Sequence, residues 1–293
     1  MLSLHTNAAA LSAQNSISRT QTGLSTSMTR LSTGFRINSA MDDAAGLQIA
    51  TRLKTQTSGM TVAMRNTQNS ISLMQTAEGA LDESTNILNR MKDLATQAAD
   101  DSSTSADRTA MQKEFDTLTD ELSNIVANTK FGGTTLFNSA GGKLTAALKF
   151  QIGADSTETM TGDFTTELTK VGTDVLAAAA GFVTTGAGAA AGSELGTTTS
   201  TAANATIGKL ATAIDSVGAL RSKLGAVSNR LDHVYNNLSN ISTNTKNATG
   251  RIMDVDFAGE SATMTSNQML LQAGTAMLKQ TNSQSSLVLS LLQ

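Results

Sequence analysis

Not one of the 293 residues is proline. At average usage a chain of this length would carry about 15. Proline inside a helix costs about 3 kcal/mol, because it removes a hydrogen bond and clashes with the preceding turn. A chain without any is free to form very long helices. Its apolar fraction, 39%, is mostly Ala, Leu, Met, Val and Ile, and aromatics are only 3%, with one tyrosine, Tyr235. That composition suits thin helical rods better than one thick globule.

Apolar spacing identifies the rods. Leu210, Val217, Leu224, Leu231, Leu238, Thr245 and Ile252 lie seven apart. Ala213, Leu220, Val227, Val234, Ile241, Ala248 and Val255 repeat three residues later. Together they make an a/d coiled-coil seam with one polar interruption, Thr245. A helix over 205–255 would span roughly 75 Å at 1.5 Å per residue. The first half carries a weaker seam: Leu53, Met60, Thr67, Met74, Leu81, Leu88 and Ala95. Its methionines adapt to more than one partner geometry. The short polar cluster at 98–107 reads as a break and a new N-cap. A further helix follows, with Met111, Phe115, Leu118, Leu122, Ile125 and Val126 on one face, and stops near Lys130.

The middle is different. Glycines recur from Gly132 to Gly196, and LKFQI (148–152) with the Thr-rich pieces around Phe164 read as β-hairpins. Residues 177–203 are an Ala/Gly/Thr-rich stretch of low complexity, expected as a short exposed loop. The fold class is therefore mainly α: a long antiparallel coiled-coil rod with paired terminal helices and a small β-hairpin region in mid-chain.

The two ends share an odd chemistry. Residues 1–41 carry Arg19, Arg30 and Arg36 and no acid, and 261–293 carry only Lys279, so all 24 acids lie between. Helices that avoid charge but keep Ser, Thr, Asn and Gln are built for burial against other helices. The C-terminal segment has two apolar columns: Leu270, Met277 and Leu291, with Gln284 between; and Met264, Leu271, Leu278 and Leu292, with Ser285 interrupting. The N-terminal segment has its own stripe, Ala10, Ile17, Leu24 and Leu31. The simplest arrangement pairs the ends and leaves their remaining faces to join subunits.

Chemistry of other kinds has little support. There is no cysteine, hence no disulfide or thiolate site. His5 and His233 have no metal-ligand spacing. Asp42–Asp43 and Asp100–Asp101 are sequence neighbours that do not face one another on a helix, so they read as turn or helix-start acids. GAGAAAG (186–192) lacks the spacing and the Lys-Ser/Thr of a phosphate loop, and no cofactor is expected. A net charge of −3 provides no basic footprint for nucleic acid. No apolar run reaches 18 residues, so no membrane insertion is expected. The N-terminus lacks the pattern of a cleavable signal peptide.

Several motifs are recognisable. TRLSTGFRINSAMDDAAGLQIATRL (29–53) closely resembles the most characteristic stretch of bacterial flagellins. The opening LSLHTNAAALSAQNS, LNRMKDLATQAA (88–99), KFGGTTLFN (130–138) and the ending SNQMLLQAGTAMLKQTNSQSSLVLSLLQ (266–293) also match. The resemblance covers roughly 1–150 and 205–293. It implies a structural, non-enzymatic subunit that self-assembles into the flagellar filament for swimming. It places an inner-tube helix pair at 1–42 and 256–293, a rod at 43–176 and 204–255, and a variable loop at 177–203. The filament-core packing residues are then Ile17, Leu24, Leu31, Leu270, Leu271, Met277, Leu278, Leu291 and Leu292. The rod seam takes Met60, Met74, Leu81, Leu88, Leu210, Val217, Leu224, Leu231 and Leu238. It also implies export by a type III apparatus to an extracellular filament. Its expected partners are further copies of itself, the export apparatus, a flagellin chaperone, the filament cap and hook-junction proteins. A host Toll-like flagellin receptor would read a patch matching Leu88, Arg90, Leu94 and Glu114. The alternative within the same family is a hook–filament junction protein. Outside it stand a peptidase carried in the mid-chain, disfavoured because 140–204 holds no histidine, and an adhesive coiled-coil protein, which would not need uncharged apolar ends.

Overall fold

The computed structural model describes residues 7–186, 192–196 and 200–291, with side chains through Ser283. Among the described residues it holds six helices and two small hairpins: α1 (Ala8–Thr33), α2 (Ala44–Ala98), α3 (Ser105–Asn128), β1 (Lys130–Phe131), β2 (Thr134–Thr135), β3 (Leu148–Gln151), β4 (Thr159–Gly162), α4 (Thr165–Ala178), α5 (Thr201–Met253) and α6 (Phe257–Leu291). The chain divides into two compact units. One joins the residues up to Thr57 with those from Thr243 onward, and the other is Ser58–Ser242. The helix breaks at 34–43 and 254–256 both fall inside the first unit.

The turn between α2 and α3 is closed by local side chains. Asp100 accepts from the backbone N–H and hydroxyl of Ser102, which turns the chain after α2. Arg108, almost wholly buried, donates to the carbonyls of Ala98 and Asp100 and so satisfies acceptors that the end of α2 leaves open. Thr104 and Asp107 form a reciprocal capping box that starts α3. The break expected at 98–107 is thus present, and α3 ends at Asn128 as its apolar face does. Gly132 (φ 58°) and Gly133 (φ 81°) form the two-residue turn between β1 and β2, where both positions need positive φ. β3 and β4 pair antiparallel, Phe150 opposite Met160, both buried.

The unit's core is one large cluster drawn from α2, α3, α4, α5 and the hairpins, with a smaller second cluster of Met60, Ala63 and Leu238. Phe115, Phe164, Leu88, Met91 and Leu220 are among its fully buried side chains. All nine rod-seam residues are buried. Thr67, Ser84, Thr119 and Ser123 are buried with them, each hydroxyl donating to the carbonyl four residues earlier, so no polar hydrogen goes unmatched. Methionine is prominent in this core, at Met60, Met74, Met91, Met111 and Met160.

Two expectations for the middle are corrected. Residues 165–178, grouped with a β-rich region, form helix α4. The Asp163 carboxylate accepts from the backbone N–H and hydroxyl of Thr165, and Val171, Val175 and Ala178 bury at helical spacing. The stretch 177–203 is not simply exposed: Ala179, Phe182 and Leu195 are buried. The buried amide of Gln112 holds it, donating to Glu194 at 2.8 Å and accepting from the Leu195 N–H at 2.9 Å. Residues 187–191 and 197–199 of that stretch lie outside the described residues.

Candidate assembly surface

In the unit that carries the ends, α1 and α6 pack antiparallel. Asn7 Nδ2 donates to the carbonyl of Thr281, while Arg30 reaches Glu260 at the other end of the pair, 3.6 Å apart. The shielded positions of α1 include Ala10, Ala13, Ile17, Thr20, Leu24, Ser27 and Leu31, alternating by three and four, with Gly23, Thr26 and Arg30 beside them. Those of α6 are Met264, Asn267, Leu271, Gly274, Leu278 and Thr281, in the same alternation. This is the knobs-into-holes period of a coiled coil. Gly274 is a hole: a Cβ there would come within 2.9 Å of Ile17. Gly23 sits opposite Asn267 in the same way, at 3.3 Å.

The two columns of the C-terminal segment therefore divide. Met264, Leu271 and Leu278 turn toward α1, together with Ile17, Leu24 and Leu31 on the other side. Leu270 and Met277 turn outward, 56% and 65% exposed. Leu291 lies beyond the described side chains, and Leu292 outside the described residues. Sequence reading missed the polar half of the seam, Thr20, Ser27 and Asn267; the three-residue offset from the apolar stripe was the signal for it. Even the inward positions are mostly half-shielded: among the described residues of α1 and α6 only Leu24 and Ser27 are buried.

The two helix breaks meet in the same unit. Gly34 caps α1, and Phe35 bridges antiparallel to Asp254. The Arg36 N–H donates to the carbonyl of Met253 at 2.6 Å, and the Val255 N–H to that of Gly34 at 3.0 Å. The Arg36 guanidinium donates to the carbonyl of Ile252. The acids at 42–43 are the turn and cap residues their spacing implied. Asp42 accepts from the N–H groups of Asn38 and Ser39, which hold its carboxyl below the ordinary value, the Ser39 N–H most strongly. Asp43 accepts from the Gly46 N–H at the start of α2, and Asp256 does the same for Ala258 at the start of α6. Beside this joint runs a polar groove of about 580 Å³ lined by Arg19, Thr22, Thr26, Arg30, Glu260 and Asn267. The Arg30 Nε is buried there without a hydrogen bond.

Of the four residues matched to a receptor patch, Arg90 and Glu114 form an exposed ion pair between α2 and α3, at 2.6–2.9 Å. Leu88 and Leu94 are core residues, 0% and 2% exposed, and present no surface of their own, which corrects their place in a contact patch. His233 is exposed on α5, and His5 lies outside the described residues. Among the described residues no three His, Cys, Asp or Glu side chains converge as a metal site, and no helix is long and apolar enough to cross a membrane. An apolar cavity of about 410 Å³, lined among others by Leu81, Phe137, Leu168 and Phe182, lies in the Ser58–Ser242 unit.

The class defined by this arrangement is a helical protein that packs one unit fully and leaves its paired, sparsely charged terminal helices with apolar faces to solvent. Two family models match the chain, the bacterial flagellin N-terminal helical region over residues 4–141 and the C-terminal helical region over 207–292. The chain belongs to the bacterial flagellin family. It is 50% identical over 157 residues to polar flagellin B/D of Vibrio parahaemolyticus, a match covering 54% of this chain and 40% of that one. It is 49% identical over 159 residues to the B-type flagellin of Pseudomonas aeruginosa, covering 54% and 32%. The crystal structure of Bacillus cereus flagellin is similar at 30% identity, covering 59% of this chain and 88% of that one, with a TM-score of 0.46. The matched regions span about two-fifths or less of the length of the curated relatives.

Proposed function

We propose that this chain is a structural subunit of the bacterial flagellar filament, without chemical activity, which assembles by burying apolar helix faces against further copies of itself. One observation carries the reading. Of the twelve large apolar side chains exposed among the described residues, nine belong to the unit of the chain ends: Leu11, Met28, Phe35, Met41, Ile49, Phe257, Met269, Leu270 and Met277. A concentration of exposed large apolar side chains on one unit marks an interaction surface rather than a scatter of single residues. Where two different faces of such a surface meet head to tail, a contact that does not close into a ring extends as a fibre. Relatives named as flagellins favour a filament subunit over a junction protein.

On this reading residues 1–42 and 256–293 form the inner tube, with Ile17, Leu24, Leu31, Leu271 and Leu278 stabilising the pair and Leu270 and Met277 meeting neighbours. Residues 43–176 and 204–255 form the rod. Export through a type III channel, an extracellular filament, and contacts with a chaperone, a cap and hook-junction proteins belong to the same reading. A Toll-like receptor would meet the Arg90–Glu114 pair. The test is electron microscopy of purified monomer with short filament seeds. Long filaments growing from seeds support a self-propagating subunit. Small closed rings or no growth would overturn it in favour of a junction protein or an unrelated coiled-coil role.

A further inference from the structure

Among the described residues, the exposed methionines and the buried ones fall in different units. Met28, Met41, Met269 and Met277 are 49%, 97%, 60% and 65% exposed, and all four lie in the unit of the chain ends. Met60, Met74, Met91, Met111 and Met160 are 8% exposed or less, and all five lie in Ser58–Ser242. We infer that the four exposed thioethers are a reversible oxidation site that turns assembly off. A peroxide converts them to sulfoxides, the apolar faces become polar, and the fold is left standing. This rests on the filament reading and adds to it a chemical control of the subunit.

The reaction has few rivals on this chain. It holds no cysteine and no tryptophan to consume oxidant first. With hydrogen peroxide, a sulfur lone pair attacks one oxygen, the O–O bond breaks and an S–O bond forms. The proton of the transferred oxygen passes to the departing hydroxide, which leaves as water. Sulfur gives up two electrons and the peroxide takes them, so the product is the sulfoxide. Susceptibility follows exposure, so the water-facing sulfurs react while the packed core shields the others. Met41, on the connection 34–43, is more exposed than any other large apolar side chain described. The consequence differs between the single chain and the assembly. A sulfoxide on a side chain that already faces water stays hydrated and disturbs no packing. Between copies it must shed that water, and burial of a polar group without a hydrogen-bond partner is unfavourable.

Monomer treated with hydrogen peroxide and quenched is mapped by peptide mass spectrometry. Met28, Met41, Met269 and Met277 should gain oxygen at least about tenfold faster than Met74 and Met91. The treated monomer should keep its melting temperature and stop adding to filament seeds. Methionine sulfoxide reductases for both epimers should then restore growth. The variant Met28→Leu, Met41→Leu, Met269→Leu, Met277→Leu, which conserves side-chain volume, should grow alike before and after peroxide. Equal oxidation of the core methionines overturns the inference. So does undiminished growth of the treated monomer, growth that the reductases do not restore, or growth of the leucine variant that peroxide abolishes. Each of these leaves the filament reading intact. Untreated monomer that never adds to seeds overturns both.

Discussion

The unit of the chain ends and the Ser58–Ser242 unit are made of the same long-helix material, yet they bury it to very different degrees. Of the forty buried apolar residues among those described, only Leu24, Ile37 and Ala50 lie in the unit of the ends. The other unit closes around aromatic rings and methionines, satisfies buried hydroxyls such as Thr67, Ser84, Thr119 and Ser123 within their own helices, and links its helices by ion pairs such as Arg221–Asp82 and Lys223–Glu167. The unit of the ends has one described ion pair, Arg30–Glu260. A two-helix pair has no third layer to cover its outer faces. Its apolar residues therefore add little to the stability of the single chain and are free to act between chains.

This contrast is open to test. The largest effect expected is on assembly: Leu270→Asp should abolish filament growth, since it places an unpaired charge in an outward face that packs against neighbours. The same change should alter the monomer's melting temperature little. A variant that polymerises normally in the seeded assay would break the division of labour. In the other unit the order reverses. Phe115→Ala, at a position wholly shielded from solvent, should cost the monomer about 3–5 kcal/mol in urea unfolding. Arg108→Ala should cost about 1–3 kcal/mol, because the carbonyls of Ala98 and Asp100 lose their donor.

A smaller effect concerns acid. Asp100, Asp107 and Asp163 are held below the ordinary value of 3.8, first by the hydroxyls of Ser102, Thr104 and Thr165, and Asp42 by the Ser39 N–H. Glu167 is lowered from 4.5, chiefly by Lys223. The folded chain binds these protons less readily than the unfolded one, so the stabilisation is complete above the ordinary values and is lost as pH falls through the lowered ones. Melting temperature should be flat between pH 6 and about 5, and should fall below about 4. Replacing Asp107 with Asn should flatten part of that fall. The smallest change expected is Arg90→Gln: an exposed pair contributes at most about 1 kcal/mol. Monomer stability should barely move, and a measurable loss of Toll-like receptor signalling would sharpen the reading of that pair as a contact.

The rod was the most legible part of the chain. Seven-residue spacing marked Leu210 to Leu238 without ambiguity, and short polar runs marked the helix starts at Thr104 and Asp43, because caps and seams are local patterns. Helix α4 was hidden by composition. Its threonines favour strands on average, and the cue for a helix lay in the Asp163–Thr165 turn before it and three apolar positions. The anchoring of the 177–203 stretch was hidden for a different reason. Gln112 and Glu194 are 82 residues apart, and nothing in either segment names the other. On α6 both apolar columns were visible, but which one would face α1 was not.

The sequence by itself determined that long helices form, where they break, and that the ends carry apolar faces with almost no charge. Periodicity and capping act within a few residues of one another, so they are written in order along the chain. Only the tertiary structure decided which face of each helix is covered. Seven-residue counting places Ile241 in the α5 seam, yet Ile241 is 38% exposed and Ser242 is buried. Leu238 keeps its place in the seam, and the inward face passes from Ile241 to Ser242 just beyond it, a choice that seven-residue counting does not contain.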